Sequence, residues 1–359
     1  MEKSLYFEYV QQFFPQLVTS IVEKLNGKRA QALPYLFRDH LTKRFSPDGR
    51  WASITAEYNR VAADVVSLDS ELPLKSRDTV SLAQGEIPKL GMKLYMSEKQ
   101  MKDLSSMIAQ QMPVGQILLT MFSDLPRVIE GVYERIEDMF LAELSTGVAV
   151  STRSGGQGVR INVGFDENNQ FAVKAVWTDN KNSTPLDDIQ KIYDKALLDQ
   201  NAITDVYADD VALNNLYKSE QVRYQYAFNQ GFAGQNVPVL NLDQLSAVFM
   251  SKWQTRLHRV ARTIKTELNG VKKTHSPWEK GHLTFTCFDN LGDLVWTNVM
   301  EAQRPVTGVT YQAADDYILA SRYSTNDPLR EFTCSQAMVV PILNNVDTIY
   351  SLDSTKVAG

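Results

Sequence analysis

The chain is poor in cysteine and histidine. Its 359 residues include two cysteines, Cys287 and Cys334, and four histidines. Two cysteines cannot form a disulfide framework in a chain of this length, so we expect two buried thiols and a reducing compartment. The histidines lack H-x-x-x-H spacing and have no cysteine at zinc-site spacing. His282 and Cys287 fall in one predicted strand, where their separation points them to opposite faces, which argues against a nucleophile–base pair.

An excess of positive charge and long apolar runs are also missing. The chain has 37 lysines and arginines against 42 acidic residues, a formal net charge of −5. Nucleic-acid-binding proteins usually carry a basic surplus, because neutralising phosphates dominates their affinity. We therefore expect at most weak, non-specific contact with DNA. No run approaches the ~18 apolar residues of a membrane span, and acidic residues interrupt the apolar N-terminal segment, unlike a secretion signal. We expect no membrane partner.

No catalytic motif stands out. The Gly-rich segment 154–158 lacks the spacing of a dinucleotide-binding loop and the Lys-Ser/Thr of a phosphate-binding loop, so we interpret it as a turn between strands. A G-x-S-x-G nucleophile elbow is absent. The acid pairs at 187–188, 209–210 and 315–316 are candidate metal ligands, but the first two lie at predicted helix starts, where capping is the simpler role. The sequence predicts no catalytic residue, no cofactor and no metal site.

What the chain does contain is an ordinary globular composition, 43% hydrophobic and 22% charged, over a length that suggests two or three domains. Apolar residues at spacings of three and four predict a helix over 1–25, broken or kinked at Pro15. Its apolar face packs either within the chain or, as we favour, as an arm on a neighbouring subunit. Residues 66–98 alternate like strands around Gly and Pro turn formers, which predicts a two-stranded ribbon. Such a ribbon is too thin to be stable alone.

The most regular helix pattern covers 126–145. One apolar stripe runs along this segment, with Asp124 and Pro126 at its start and Gly147 as the residue that ends it. The remaining pattern predicts further elements: a β-meander over 148–176, helices beginning near 183–185 and 209–210, a hairpin at Asn269-Gly270, a strand over 282–288, and a C-terminal strand, turn at Asn344-Asn345 and strand that close the sheet begun at 148–176.

Two segments carry a family resemblance. Residues 177–189 read W-T-D-N-K-N-S-T-P-L-D-D-I, and the run that starts at 327 reads D-P-L-R-E-F-T-C-S-Q. Both resemble the lambda-type major capsid proteins of tailed phages, the major capsid protein E family. There a Trp precedes a Pro-x-Asp-Asp-Ile helix start, and Asp-Pro-x-Arg-Glu-Phe-Thr-x-x-Gln opens the closing strand. The matching positions are Trp177, Pro185, Asp187, Asp188, Asp327, Pro328, Arg330, Glu331 and Phe332.

The resemblance implies an α+β chain with the Hong Kong 97-like phage capsid fold. That fold has an N-terminal arm, an extended β loop, a long spine helix, and peripheral and axial domains. The implied ranges are 1–65 for the arm and N-terminal helix, 66–98 for the extended loop, 99–179 for the spine helix and meander of the peripheral domain, 180–322 for the axial domain, and 323–359 for C-terminal strands that return to the peripheral domain.

The function implied by the resemblance is structural. A non-enzymatic major capsid protein would assemble through hexamers and pentamers into an icosahedral shell around double-stranded DNA, since repeated head-to-tail contacts close into rings. The shell would form in the host bacterial cytoplasm, with scaffolding, portal and head-completion proteins as partners, and become part of the virion. The ribbon supplies the candidate inter-subunit contacts: Leu74, Lys75, Arg77, Glu86, Lys89 and Lys93.

Two alternatives stay open. One is a cytoplasmic α/β enzyme with an unrecognised site, which a pocket of convergent ionisable residues with strongly perturbed pKa values would favour. The other is an encapsulin-type nanocompartment shell, which shares the fold class but lacks the two lambda-like segments.

Overall fold

The structure is a computed structural model that describes residues 1–26, 35–56, 80–152, 158–231, 239–268 and 270–358. Its α-helices are α1 (Phe7–Asn26), α2 (Leu36–His40), α3 (Glu98–Ala109), α4 (Val114–Met121), α5 (Leu125–Thr146), α6 (Pro185–Leu198), α7 (Asp210–Lys218), α8 (Glu220–Asn229), α9 (Leu242–Trp253) and α10 (Met300–Gln303). Its strands are β1 (Leu41–Phe45), β2 (Arg50–Ala56), β3 (Val80–Glu86), β4 (Lys89–Met96), β5 (Val148–Thr152), β6 (Gly158–Asn162), β7 (Gln170–Val173), β8 (Asp205–Asp209), β9 (Arg256–Val260), β10 (Ile264–Leu268), β11 (Val271–His275), β12 (His282–Thr286), β13 (Gly292–Thr297), β14 (Thr310–Ala314), β15 (Ile318–Thr325), β16 (Arg330–Leu343) and β17 (Ile349–Val357).

The first of two hydrophobic cores lies between helix α5 and a mixed sheet. The sheet has the order β1-β13-β16-β15-β14, and β4 also pairs with β16. Strand β16 is 14 residues long. Its first half pairs with both β15 and β4, so that Ser335 lies opposite Ala320 on one side and Met92 on the other. Its second half pairs with β13. One long strand therefore organises the whole sheet.

Helix α5 confirms the predicted long helix, within one residue at each end. All five residues of the predicted stripe are buried: Ile129, Val132, Ile136, Phe140 and Leu144. Burial extends beyond one stripe, since Tyr133, Glu137 and Leu141 are also fully buried. The helix ends at Gly147, whose φ of 75° is the left-handed conformation that glycine adopts without strain. Because the sheet covers one side and α1 and α2 pack on it from elsewhere, α5 is an interior helix rather than a surface one.

Helix α1 continues through Pro15. Of the predicted break or kink, the break is therefore wrong. Proline removes one backbone hydrogen bond, and here the carbonyl that loses its partner belongs to Gln11, on the exposed side of the helix. The opposite side buries Val10, Phe14, Val18 and Val22 in the first core. The apolar face of α1 therefore packs within its own chain, which is the first of the two alternatives considered for it.

The second core lies between a five-stranded sheet and helices α6 to α9. The strand order is β7-β17-β12-β8-β9. Helix α7 begins as predicted, because the carboxylate of Asp209 accepts a hydrogen bond from the backbone N–H of Ala212 at 2.9 Å. Trp177, Phe249 and Phe285 are fully buried among these helices and strands. These side chains belong to a hydrophobic core that is separate from the one around α5.

The predicted pairing of the ribbon over 66–98 is wrong. Strand β3 pairs with β2, in register from Arg50 opposite Glu86 to Ala56 opposite Val80. Strand β4 instead joins the first sheet beside β16. The physical reason is packing on α5: the Sδ atom of Met92 lies so close to Gly131 that a Cβ there would approach it to 2.6 Å. The alternation that suggested a ribbon strand belongs to a core strand, and the two-stranded ribbon covers 50–56 and 80–86.

The predicted meander and C-terminal sheet also differ from the structure. Strands β5 and β6 pair only with each other, on either side of the predicted Gly-rich turn, whose residues 154–157 lie outside the described residues. Strand β7 lies in the second sheet. The turn at Asn345 is confirmed, with φ of 51°, but it sends β16 and β17 into different sheets. Sequence-local patterns do not encode which distant strand becomes the neighbour.

The two cores divide the chain differently from the ranges 99–179, 180–322 and 323–359. Strands β13, β14 and β15, which span 292–325, lie in the first sheet beside β16. Strand β17 lies in the second sheet between β7 and β12. The hairpin of β10 and β11 is confirmed, with Gly270 at φ 78°, as are the strand β12 and the start of α6.

Replacing Ile136 by Ala tests the interior position of α5. The side chain is 0% exposed, so we expect the free energy of unfolding to fall by ~2–5 kcal/mol, through lost transfer free energy and the cavity left behind. The control is Arg127→Ala, because Arg127 is largely exposed and its ion pair with Asp124 is long, at 3.7 Å; that change should stay within about 0.5 kcal/mol. Equal effects of both substitutions in a urea titration would show that α5 is not buried in this orientation.

Candidate inter-subunit surface

The ribbon of β2 and β3 is anchored to the first sheet at its base. Trp51 is buried, and its indole ring lies against Gly85, where a Cβ would approach it to 2.8 Å. The hydroxyl of Ser53 donates a hydrogen bond to the backbone carbonyl of Leu343 at 2.7 Å. The glycine therefore gives the tryptophan the room it needs, and the base of the ribbon is fixed to the end of β16.

Three of the six candidate contact residues cannot be placed. Leu74, Lys75 and Arg77 lie outside the described residues, between the paired ends Ala56 and Val80. The other three are on the surface of the first core. Glu86 is exposed at the end of β3.

Lys89 and Lys93 already have partners within the chain. The Nζ of Lys89 lies 2.7 Å from Glu301 Oε1, and the Nζ of Lys93 lies 4.9 Å from the centre of the Phe332 ring. Exposed ion pairs contribute ~0–1 kcal/mol, so a neighbouring molecule can replace the Lys89–Glu301 contact at little cost.

The first capsid-like segment is a local structural unit. Pro185 lies in the first turn of α6, and the buried Asp188 accepts hydrogen bonds from the Trp177 indole at 3.1 Å and from the Lys174 backbone N–H at 3.2 Å. Asp187 beside it is exposed. Asp188 thus holds the connection between β7 and α6 in place through its hydrogen bonds to Lys174 and Trp177. A role in metal binding is not needed to explain either acid.

The second capsid-like segment opens β16. Asp327 and Pro328 lie in the loop after β15, where the Thr325 hydroxyl donates a hydrogen bond to the Pro328 carbonyl at 2.8 Å. The Arg330 guanidinium lies 4.3 Å from the centre of the Tyr95 ring. Phe332 stacks on Tyr323 with 5.2 Å between ring centres. These contacts hold the start of β16 between β4 and β15.

Glu331 takes part in a buried ion pair that the sequence analysis missed. Its Oε1 accepts a hydrogen bond from Arg322 Nε at 2.9 Å, and both side chains are almost fully buried. Arg322 also donates to the Met121 carbonyl at 2.8 Å and lies over the Phe122 ring. Burial lowers the pKa of Arg322 from its ordinary value, while Glu331 opposes that effect. The one available signal was an arginine in the middle of the strand I-L-A-S-R-Y-S-T.

Two of the three buried acids on α5, Glu137 and Glu143, have raised pKa values. Glu137 accepts hydrogen bonds from the backbone N–H groups of Leu36 and Phe37 at 3.0 and 3.1 Å, at the start of α2. Burial nevertheless raises the pKa of Glu137 to about 7.

Glu143 is fully buried, and neither of its carboxyl oxygens has a hydrogen-bond partner among the described residues. Burial raises the pKa of Glu143 well above its ordinary value, and the backbone of Leu343 offsets this only in part. Burial therefore favours the neutral form of Glu143.

The cysteines and the acid pair at 315–316, considered above for catalysis or metal binding, lie in surroundings that favour structural roles. Cys287 is buried as predicted, and burial raises the pKa of its thiol to about 12, which disfavours a nucleophilic thiolate. Cys334 is only partly buried. Asp315 and Asp316 both accept hydrogen bonds from Lys43, at 2.6 and 2.8 Å. Across the described residues no group of three or more His, Cys, Asp or Glu side chains is arranged to hold a metal ion.

One ionisable cluster resembles part of a catalytic site. Asp205 is buried and binds Arg256 at 2.7 Å and His258 at 2.6 Å. His258 stacks on Tyr207, whose hydroxyl lies 3.1 Å from His40. Within the described residues, neither histidine forms a hydrogen bond with a serine, threonine or cysteine side chain, so the cluster lacks the nucleophile of a triad. Asp205, Tyr207 and His258 lie in the second sheet, whereas His40 ends α2, which packs on α5 of the first core. The cluster therefore has a structural role that explains it: it links the two cores.

Large apolar side chains are exposed on the helices of the second core. Leu197 and Leu198 at the end of α6 are 76% and 80% exposed, and Phe228 near the end of α8 is 80% exposed. Large apolar side chains exposed to this degree are candidates for contacts with other proteins. Within the described ranges, none of the helices is both long and apolar enough to cross a bilayer.

Comparison with solved structures identifies the fold. A crystal structure assigned to the capsid protein of a prophage in Escherichia coli CFT073 matches with a TM-score of 0.56 and 12% sequence identity, over 93% of this chain and 97% of that chain. A phage-related protein from Bordetella bronchiseptica RB50 matches with a TM-score of 0.52 and 11% identity, over 95% and 98% of the two chains. Neither a protein-family profile nor a curated protein matches the sequence. The chain has the α+β phage capsid fold that its two sequence segments imply.

Glu143→Gln tests the cost of the buried, unpaired acid. Unfolded Glu143 loses its proton near its ordinary pKa of about 4.5, whereas burial raises the pKa of the native side chain. The contribution of Glu143 to stability therefore falls as pH rises from about 4.5 towards the raised native pKa, by up to ~1.4 kcal/mol per pH unit. Glutamine cannot ionise. We expect nearly equal stability of both proteins at pH 4 and a growing advantage of the variant towards pH 7. Urea titrations at several pH values measure this, with exposed Glu98→Gln as the control. A pH-independent difference would contradict a neutral Glu143.

Proposed function

We propose that the chain is the major capsid protein of a tailed phage, a structural subunit of an icosahedral shell that encloses double-stranded DNA. The observation that carries the proposal is the capsid-type fold over 93% of the chain. The two lambda-like sequence segments support it, because both form structural units of that fold: Asp188 closes the turn around Trp177, and Glu331 sits in the buried ion pair that opens β16.

Assembly through hexamers and pentamers follows from the same proposal. A subunit in a closed shell must present different surfaces to successive neighbours, since head-to-tail contacts generate rings. The chain offers two such surfaces: the ribbon of β2 and β3 on the first core, and the exposed apolar ends of α6 and α8 on the second. We propose the first core as the peripheral domain and the second as the axial domain.

The ribbon is the proposed extended loop, with its position revised to 50–86. Its paired ends Ala56 and Val80 frame residues 57–79, which include the contact candidates Leu74, Lys75 and Arg77. A two-stranded ribbon is marginally stable by itself. Contact with a neighbouring subunit would supply the missing burial. Glu86, Lys89 and Lys93 near the base of the ribbon then become secondary candidates.

The proposal places the protein in the virion after assembly in the host cytoplasm. Scaffolding, portal and head-completion proteins would be its partners, as the family resemblance implies. The net charge of −5 fits a shell that makes only weak, non-specific contact with the enclosed DNA.

The enzyme alternative has less support. The buried Cys287 has a raised thiol pKa, and among the described residues no Ser, Thr or Cys side chain bonds to the His258 of the Asp205–His258 pair. An encapsulin-type shell would share the fold, but its interior would hold cargo protein rather than DNA. The two shell functions are therefore distinguished by what the particles contain.

The test is assembly of the purified chain, alone and after co-expression with the head proteins of the same phage genome. We expect rings of five and six subunits or closed shells, by sedimentation velocity and negative-stain electron microscopy, because the fold presents surfaces for several neighbours. A strict monomer under both conditions would contradict the proposal. Closed shells that form without head proteins and contain a cargo protein would favour the nanocompartment.

A shortened ribbon locates the assembly contact. Because Ala56 and Val80 are paired, an Asn-Gly turn can join them directly in place of residues 57–79. We expect this variant to fold, with cooperative melting by circular dichroism, and to form no closed shell. The matched control keeps the length and composition of 57–79 but scrambles the order. Shell formation by the shortened chain would show that the ribbon is not the required contact.

A further inference from the structure

The N-terminal residues occupy a place in the first sheet that β14 leaves open. Strand β14 pairs with β15 only as far as Thr310 opposite Arg322. Extending that register would bring Gly308 opposite Ser324, but the chain turns away there, with φ of 91° at Gly308. Glu2 takes the position instead. Its backbone N–H donates to the Ser324 carbonyl at 3.0 Å, and its carbonyl accepts from the Ser324 N–H at 3.1 Å.

The next residue is held in the same extended manner. The hydroxyl of Ser324 donates to the Lys3 carbonyl at 2.6 Å. Gly308 lies beside this segment, and a Cβ at that position would come within 3.3 Å of the Lys3 nitrogen. Because residue 308 has no side chain, the backbone of residues 2–3 can lie close to it and beside β15.

The buried ion pair of Arg322 and Glu331 also contacts the N-terminal segment. The Glu331 carboxylate accepts hydrogen bonds from the Ser4 hydroxyl and, at 3.2 Å, from the Leu5 backbone N–H, in addition to the bond from Arg322. The Ser4 hydroxyl also accepts the Tyr6 N–H at 3.2 Å, directly before α1. Without residues 4 and 5 the buried carboxylate would keep only its arginine partner among these three, and an under-satisfied buried charge is costly.

We propose that this edge of β15 is a peptide-binding site, and that residues 2–5 of the same chain are its ligand. The site takes an extended segment that pairs with Ser324 and places a hydroxyl, followed by a free backbone N–H, at the Glu331 carboxylate. Within the ligand, Ser4 determines specificity, because its hydroxyl donates to the Glu331 carboxylate. The segment is thereby fixed to its own subunit rather than offered to a neighbour. The proposal rests on these contacts and not on the capsid function.

Hydrogen exchange on the full-length chain tests the site in place. We expect the amides of Leu5 and Ser324 to be protected, and Ser4→Ala to reduce the protection of Leu5 about tenfold or more, since the lost bond involves a charged carboxylate. The control is Glu2→Ala, which removes an exposed side chain and keeps the backbone bonds. Exchange of Leu5 at the free-peptide rate in the unmodified chain, or equal effects of both substitutions, would overturn the proposal. Protection that rises with protein concentration would assign the ligand to a second copy and overturn it as well.

A second experiment separates ligand from site. The chain lacking residues 1–5 is titrated with a synthetic peptide of residues 1–7, and its melting temperature is followed. We expect the truncation to lower the melting temperature, the peptide to raise it saturably, and the Ser4→Ala peptide to require at least about tenfold more material, as loss of a charged hydrogen bond predicts. Unchanged melting of the truncated chain, indistinguishable peptides, or a truncated chain that the peptide cannot stabilise would each overturn the proposal.

Discussion

The packing of helix α5 on strand β16 is the contact on which the rest of the structure depends. The first half of α5 lies on the first sheet, where the Ser335 hydroxyl donates to the Val128 carbonyl at 2.5 Å. Its last turn reaches the second core: the Thr284 hydroxyl donates to the Leu144 carbonyl at 2.8 Å, and the Glu279 N–H donates to the Ser145 hydroxyl at 2.9 Å. After β16 the chain passes through the turn at Asn345 into β17 of the second sheet. Helix α5 and the turn after β16 are thus two of the connections between the cores, beside the chain between β12 and β13 and the bond between Tyr207 and His40.

The packing of α5 on the first sheet includes several buried polar groups. Glu143 lies unpaired on α5, and Arg322 and Glu331 form an ion pair within the first core. Buried ion pairs seldom add much stability compared with apolar side chains of similar volume, but removing one partner is strongly destabilising. The Arg322–Glu331 pair joins β15, β16, the end of α4 and the N-terminal segment. Its physical effect is therefore to fix how these parts fit together, rather than to supply net burial energy.

Local sequence signals predicted much of the fold. The single apolar stripe and Gly147 gave α5 to within one residue at each end, and turn chemistry placed the hairpin at Gly270. Both signals depend on residues close in sequence. The capsid-like segments likewise marked real contacts, such as the bond from Trp177 to Asp188.

Apart from the helix break expected at Pro15, the failures concern partners far apart in sequence. Strands β3 and β4 are adjacent in the chain but pair with β2 and β16, and β17 leaves the sheet of β16. The bond between Ser4 and Glu331 joins the N-terminal segment to β16, residues that are 327 positions apart. A period-2 pattern shows that a strand exists and which face is apolar, but not its neighbour. All six candidate contacts remain predictions, and Leu74, Lys75 and Arg77 also lie outside the described residues.

The central claim is that a subunit organised around α5 and β16 forms a shell by extending its ribbon onto a neighbouring copy. Electron cryomicroscopy of particles from the co-expressed head proteins tests this most directly, because it shows both the shell and the path of each chain. The account predicts closed icosahedral particles in which residues 57–79 of one subunit contact another subunit. Particles in which that segment contacts only its own chain, or the absence of any closed shell, would contradict it.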